Sequence, residues 1–434
     1  LVIGALSVLF FIANRHAFAG YFSSDDLDTL TWAPTAGWDA IVLGLGTPKL
    51  SPSNFRPVGA IFYRFAHEVA GLDYRGWIGL LFALHSITCL LLWTLLRRLE
   101  FAAAPALAAT VFYCFHPALF DAWWKPMYCF DVLCCLFTLL MLLAWTARRY
   151  FLAFACFWLA FKSKEMAVLI PPALAALEFK AMTRSDAATW LRRFLRLAPF
   201  FLVSLSFGLQ AILGNHAQHV PYQMRFSLAA AASTASVYLP HLAVIVICLP
   251  LLFFDRRTWL ALALLSAVGT LLFLPGRVFP VYLYLPLTGA SIALAALFQR
   301  MPRPLYAVTL GVWLLCCYSL LRPYRRAELE AARERSAYVN QVFAHRRVIR
   351  DTRTFLTDGK PAALEPWGVA GALRLAGAPW GATTAGLELN DGWKDSVPRD
   401  ALIISWDATR QFVAVSPVAD EEEAPLPCLQ ISSA

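Results

Sequence analysis

Charge is what this sequence has least of. Asp, Glu, Lys and Arg make up 15% of its 434 residues, against roughly 25% in an ordinary soluble domain, which excludes a simple cytosolic enzyme. The deficit is confined to one part of the chain. Residues 1–321 hold 23 basic and 13 acidic side chains, and the much shorter stretch 322–434 holds 14 basic and 15 acidic ones. The first part has the composition of a membrane domain and the second that of a soluble one. Cysteine pairing signals are also missing. Nine of the ten cysteines precede residue 322, mostly inside apolar runs, and no Cys-x-x-Cys spacing occurs. Neither a zinc ribbon nor a disulfide framework is therefore expected, and the cysteines read as small apolar packing residues. The tail shows no tetratricopeptide period and no catalytic motif. The pI near 9.1 is no nucleic-acid signal, because the excess base lies between apolar runs.

Those runs are long. A membrane-crossing helix needs about 20 mostly apolar residues. Eleven candidate spans are expected near 1–13, 77–96, 101–116, 130–147, 150–161, 166–179, 198–214, 236–254, 258–275, 281–298 and 304–321. Arg15 and His16 stand between the first run and the Ala17-Phe18-Ala19 that would suit signal cleavage, so the first helix is read as uncleaved. Arg97-Arg98, Arg148-Arg149, Lys180, Arg184, Arg192, Arg193, Arg196, Arg256-Arg257, Arg300 and Arg303 all follow even-numbered spans. By the positive-inside rule that side is the cytoplasm. The loops after odd-numbered spans and the tail then face outward.

The outward loops carry the polar chemistry. The first, about 14–76, is long enough to be functional or to hold structure of its own. It contains Ser23-Ser24-Asp25-Asp26-Leu27-Asp28. Adjacent carboxylates repel, which raises one pKa and suits a general base. The pair could equally hold a divalent cation, or Ser24 or Asp25 could simply cap a helix. Residues 38–45 and 58–70 have amphipathic helical spacing and would lie flat on the bilayer. Between them, Asn54-Phe55-Arg56-Pro57 offers an arginine suited to phosphate. A later loop runs from His116-Pro117 through Asp121 to Lys125, with Asp131 heading the next span. Lys162-Ser163-Lys164-Glu165 puts three charges into four residues between apolar helices, which is costly unless water or a polar ligand meets them. Arg277 precedes Tyr282-Leu283-Tyr284-Leu285-Pro286, whose tyrosines form either an aromatic belt or a groove for a lipid or sugar. His85 and His241 lie within spans and read as packed structural histidines.

Taken in order, these motifs resemble the GT-C superfamily of membrane glycosyltransferases. The resemblance is greatest to the protein O-mannosyltransferases that carry tetratricopeptide repeats, and to their bacterial relatives, and it covers roughly residues 20–290. It implies an all-α polytopic membrane domain, 1–321, and leaves 322–434 as a small α+β extracytoplasmic domain. It implies a catalytic carboxylate at Asp25 or Asp26. It implies substrate-binding roles for Arg56, His116, Lys164, Glu165 and Tyr284, and the chemistry of the loops adds Lys162, Arg277 and Tyr282 as binding candidates. The donor would be a polyprenyl-phosphate sugar and the acceptor a protein or glycan, with a divalent metal optional, at the outer face of a bacterial cytoplasmic membrane. Two departures stand out. Pro280 and Val281 occupy places where relatives often carry Glu-Arg, and no repeats follow. A transporter or flippase of lipid-linked sugars is the alternative. It would call for inverted repeats or polar residues deep in the spans, and the sequence shows no such repeats and few such residues.

In the tail, residues 324–356 have helical spacing. Val369 to Leu375 reads as a strand-like run. Leu402–Trp406 and Gln411–Ser416, joined by Asp407-Ala408-Thr409-Arg410, read as a hairpin. Glu421-Glu422-Glu423 and the prolines beyond read as disordered.

Overall fold

The computed structural model describes residues 2–47, 55–182, 186–215, 222–242, 250–251, 255, 257–386 and 401–417. Asn54, Arg184, Arg256, Cys428, most of the 236–254 span and the acidic run at 421–423 lie outside them. The chain divides into two compact units. One comprises Leu1–Ala17 and Ala36–Pro323, the other Phe18–Thr35 and Tyr324–Ala434. The second unit thus takes a segment of the first long loop as well as the tail.

All the regular structure among the first unit's described residues is helical. Among the described residues five helices are long and apolar enough to cross a membrane: Val2–Ala19, Tyr74–Arg98, Pro126–Thr146, Ala188–Leu213 and Arg303–Ala344, the last of which runs on past Pro323 into the second unit. Ala103–Cys114 and Pro117–Trp124, bent by 46° at their junction, make a sixth if counted as one broken span. The expectation of eleven spans is therefore corrected among the described residues. The apolar stretches are helical, but several are short. Tyr150–Ser163 has 14 residues and Pro286–Phe298 has 13, each about 20 Å at 1.5 Å per residue, below the ~30 Å of a hydrocarbon core. Hydropathy marks an apolar run without fixing where proline and glycine cut it. Pro117, Pro126, Pro171, Pro280 and Pro286 each stand in the first turn of a new helical segment, where the missing N–H costs nothing. The first unit leaves many large apolar side chains exposed, among them Leu9, Phe11, Phe151, Leu202, Leu205 and Leu315. An apolar surface of this kind suits lipid rather than water, and the chain is built as a helical membrane protein.

Two helices of this unit position the charged residues discussed below. Cys129–Thr146 and Tyr150–Ser163 are joined by only Ala147, Arg148 and Arg149, with Arg148 at φ 59°. So short a link makes them antiparallel neighbours, which brings the start of the first beside the end of the second.

The second unit has a four-stranded sheet of order β2-β1-β3-β4, where β1 is Thr354–Asp358, β2 Thr383–Gly386, β3 Leu402–Asp407 and β4 Phe412–Pro417. β1 pairs parallel with β2 and with β3, and β3–β4 is antiparallel. That last pair is the expected hairpin. Its turn is held by Asp407 Oδ1, which accepts from the Thr409 and Arg410 amides. The strand expected at Val369 to Leu375 is corrected: Pro366–Leu375 is a helix. Its buried Val369, Ala372 and Leu373 recur at i, i+3 and i+4, and Pro366 at the first position sets the helical φ. Gly368 and Gly371 let this helix approach Ser24–Trp32 closely. A Cβ on Gly371 would lie 2.8 Å from the Asp28 amide nitrogen and from the Leu27 carbonyl carbon. Both are backbone atoms and cannot swing aside. Gly371→Ala gains up to ~1 kcal/mol in helix propensity but is expected to lose about 1–3 kcal/mol to overpacking. The net expectation is a lower denaturation midpoint for this unit, followed by limited proteolysis of the tail. An unchanged midpoint would show that the two helices can separate without cost.

Candidate functional site

Arg56 sits just before Pro57–Ala70, held extended at φ −112° and ψ 94° by the proline that follows it. Its Nε and Nη2 donate to Glu165 Oε1 and Oε2 at 3.0 and 3.1 Å, a two-bond fork of the kind guanidinium and carboxylate favour. The guanidinium also lies 5.3 Å from the Phe130 ring centre. Lys164 ends the Tyr150–Ser163 helix in an extended conformation, φ −157° and ψ 142°. Its Nζ pairs with Asp131 Oδ1 at 2.5 Å and stands 3.9 Å from the centre of the Tyr282 ring. Residues from four separate stretches of chain thus converge: Arg56, Asp131, the Lys164-Glu165 pair and Tyr282.

The electrostatics follow from burial and pairing. Burial alone would lower the Arg56 pKa, and the Glu165 charge and hydrogen bonds raise it overall. Burial alone would raise Glu165, but the charge and hydrogen bonds of Arg56 hold its carboxyl below the ordinary range. Lys164 moves down, chiefly through burial and in part through Arg56, against the pull of Asp131. Two cations and two carboxylates cancel here. Arg277 is different. Its guanidinium stacks over Tyr222 at 4.3 Å and its charge acts on Tyr282. Among the described residues it pairs with no carboxylate, and its buried Nε has no hydrogen-bond partner.

The other expected site residues lie elsewhere in the first unit. Lys162 donates to the Thr47 carbonyl and lies over the rings of Trp158 and Phe161. His116 is buried, with Nδ1 accepting from the Ala118 amide and its ring against Phe112, Trp313 and His241. Asp121 pairs with Lys125 at 2.8 Å. Tyr284 is fully buried with its Oη 2.6 Å from His85 Nδ1.

Asp25 and Asp26 belong to the second unit. Ser23 is the N-cap of Ser24–Trp32, and Asp26 closes a capping box with it. Asp26 Oδ2 accepts from the Ser23 amide and hydroxyl, each at 2.7 Å, and the residue is fully buried. Asp25 is partly exposed, with Oδ1 accepting from Trp367 Nε1 at 2.7 Å. Asp28 lies 3.6 Å from Arg374. Burial raises the Asp28 carboxyl above its ordinary range, Arg374 opposes the shift, and the Asp25 charge adds to it. The adjacent carboxylates therefore differ in availability, and the cap falls one residue earlier than Ser24.

Asp131 is the charged residue whose part the sequence left unassigned. The signal was there, since two lysines in a four-residue loop between apolar helices need counter-charge, and Asp131 heads the neighbouring helix. Neither Asp131 nor Glu165 offers an uncommitted carboxylate to a metal ion, because each is already paired with a cation. No family model, curated protein or solved structure matches the chain.

Proposed function

We propose that the chain is a membrane glycosyltransferase of GT-C type that moves a sugar from a polyprenyl-phosphate donor to a protein or glycan acceptor at the outer face of a bacterial cytoplasmic membrane. The observation that carries the reading is Arg277, a guanidinium that among the described residues has a buried, unpartnered Nε and no carboxylate in an ion pair with it. Its charge acts on Tyr282, whose ring stacks on Lys164. A buried donor without a partner costs about 1–3 kcal/mol, and an incoming phosphate oxygen would satisfy it. The paired charges near Tyr282 leave the site close to neutral, which suits the singly charged phosphodiester of a polyprenyl-phosphate sugar. In this reading Arg277 and Lys164 hold the leaving phosphate, and Arg56 with Glu165 orients the loop that carries Lys164. A base takes the proton from the acceptor hydroxyl, and Asp25 is the carboxylate that the GT-C resemblance implies for that role. The acceptor oxygen then attacks the anomeric carbon, the bond to the phosphate oxygen breaks, and polyprenyl phosphate leaves with inversion.

The test uses the purified protein in sealed proteoliposomes with radiolabelled polyprenyl-phosphate sugars. Sugar release or transfer is expected, and Arg277→Gln is expected to weaken donor binding by roughly 10-fold or more, from the 1.5–3 kcal/mol of a hydrogen bond to a charged group. Movement of intact donor across the bilayer without cleavage would favour a transporter. Unchanged donor affinity in Arg277→Gln would remove the phosphate role.

A further inference from the structure

We propose that His85, Cys89 and Cys114 form an intramembrane binding site for a thiophilic divalent ion of the zinc type. His85 and Cys89 are four residues apart on the Tyr74–Arg98 helix and so share a face. Cys114 closes the neighbouring Ala103–Cys114 helix. One ligand atom from each lies within 4.8 Å of the others, with Cys89 Sγ 3.7 Å from His85 Nε2. Zinc bonds of about 2.3 Å to sulfur and 2.0–2.1 Å to nitrogen place tetrahedral ligand atoms roughly 3.5–3.8 Å apart, so small side-chain rotations bring the three to bonding distance. Both cysteines are free thiols.

The surroundings favour this ion. All three residues are at most 2% exposed, and net charge is costly in such an interior. A divalent cation with two thiolates and a neutral imidazole sums to zero, whereas a monovalent ion would leave one negative charge. Binding breaks two S–H bonds, forms two metal–sulfur bonds and sends two protons to solvent. The ion takes Nε2 from its present partner, the Cys114 carbonyl oxygen at 3.1 Å. The ring proton then sits on Nδ1, and Tyr284 Oη, 2.6 Å away, accepts it. A fixed hydrogen bond on the far nitrogen is what a metal-bound histidine ordinarily has. The site would join two helices of the first unit, and it does not depend on any assignment of sugar transfer.

The experiment is metal analysis of the full-length protein purified in detergent without added metal or chelator, followed by Co²⁺ titration after chelation. About one zinc per chain is expected, together with a Co²⁺–thiolate charge-transfer band. Both should be lost in Cys89→Ser and in Cys114→Ser and kept in Cys316→Ser, which alters an exposed cysteine. The wild-type protein decides the matter even if the variants fail to fold. Absence of both metal and band overturns the proposal, as does a Cys89–Cys114 disulfide in the isolated protein. Monovalent copper, Cu(I), in place of zinc overturns the charge argument, and a band that survives both serine variants places the ion elsewhere.

Discussion

Asp25→Asn is expected to slow sugar transfer by about 10²–10⁴-fold, the usual cost of removing a general base, with donor affinity unchanged. The two adjacent carboxylates make different predictions because they do different local work. Asp26 is buried, and both Ser23 donors point at its Oδ2. Replacing it with Ala removes half of a capping box and should cost about 1 kcal/mol of stability in the second unit. Asp25 is partly exposed and accepts a single hydrogen bond from the Trp367 indole, which the Asn side-chain oxygen can still accept. Activity lost in Asp25→Asn at wild-type stability is the signature of a base. Activity lost in Asp26→Ala together with stability is the signature of a cap. The measurement is turnover, donor affinity and melting on the same single variants. Full turnover in Asp25→Asn would end the base assignment.

The largest stability effect is expected at Asp131. Asp131→Ala leaves the Lys164 ammonium buried without its carboxylate, and breaking a buried ion pair from one side costs about 3–5 kcal/mol. Asp131 is 4% and Lys164 11% exposed, so little water is at hand to compensate. The Tyr282 ring face attracts the ammonium, but a cation–π contact supplies only about 0.5–2 kcal/mol, too little to replace the carboxylate. The double variant Asp131→Ala, Lys164→Met removes both charges and should recover most of the loss. Thermal melting in detergent across the four-member cycle reads the coupling. A double variant no more stable than Asp131→Ala would show that the cost lies in packing around residue 131 rather than in charge.

What the sequence disclosed about these residues depended on how local each feature was. The acidic pair, the lysine loop and the hairpin are short stretches, and their residue types announced them. Span number was less legible because Leu, Ala and Phe sustain hydropathy across breaks such as His116-Pro117, so that apolar length ran ahead of helix length. The Pro366–Leu375 helix was hidden by small residues. Gly368, Ala370, Gly371 and Ala372 carry little hydrophobic contrast, and the glycines are there for close approach to Leu27 and Asp28, a demand that only the fold reveals. The Arg56–Glu165 fork joins residues 109 positions apart, and no periodicity encodes such a pairing. His85 and Cys89 carry no Cys-x-x-Cys signal, because their spacing is that of a helix face rather than of a zinc loop.

The second unit is assembled from pieces that leave the ribosome far apart in time. Ser24 Oγ accepts from the Glu365 amide across 341 positions. At 5–20 residues per second of synthesis, Ser24–Trp32 waits roughly 17–70 s for the helix that covers it. Nine residues are too few for a lasting helix in water, so the Ser23–Asp26 box is its main local support over that interval. Leu27 and Leu30, both buried in the finished fold, are uncovered meanwhile. The whole of the first unit must be made before this one can close. A chain truncated anywhere before Pro366 would lack the helix that packs on Ser24 and Leu27, and this face of Ser24–Trp32 would stay open for good.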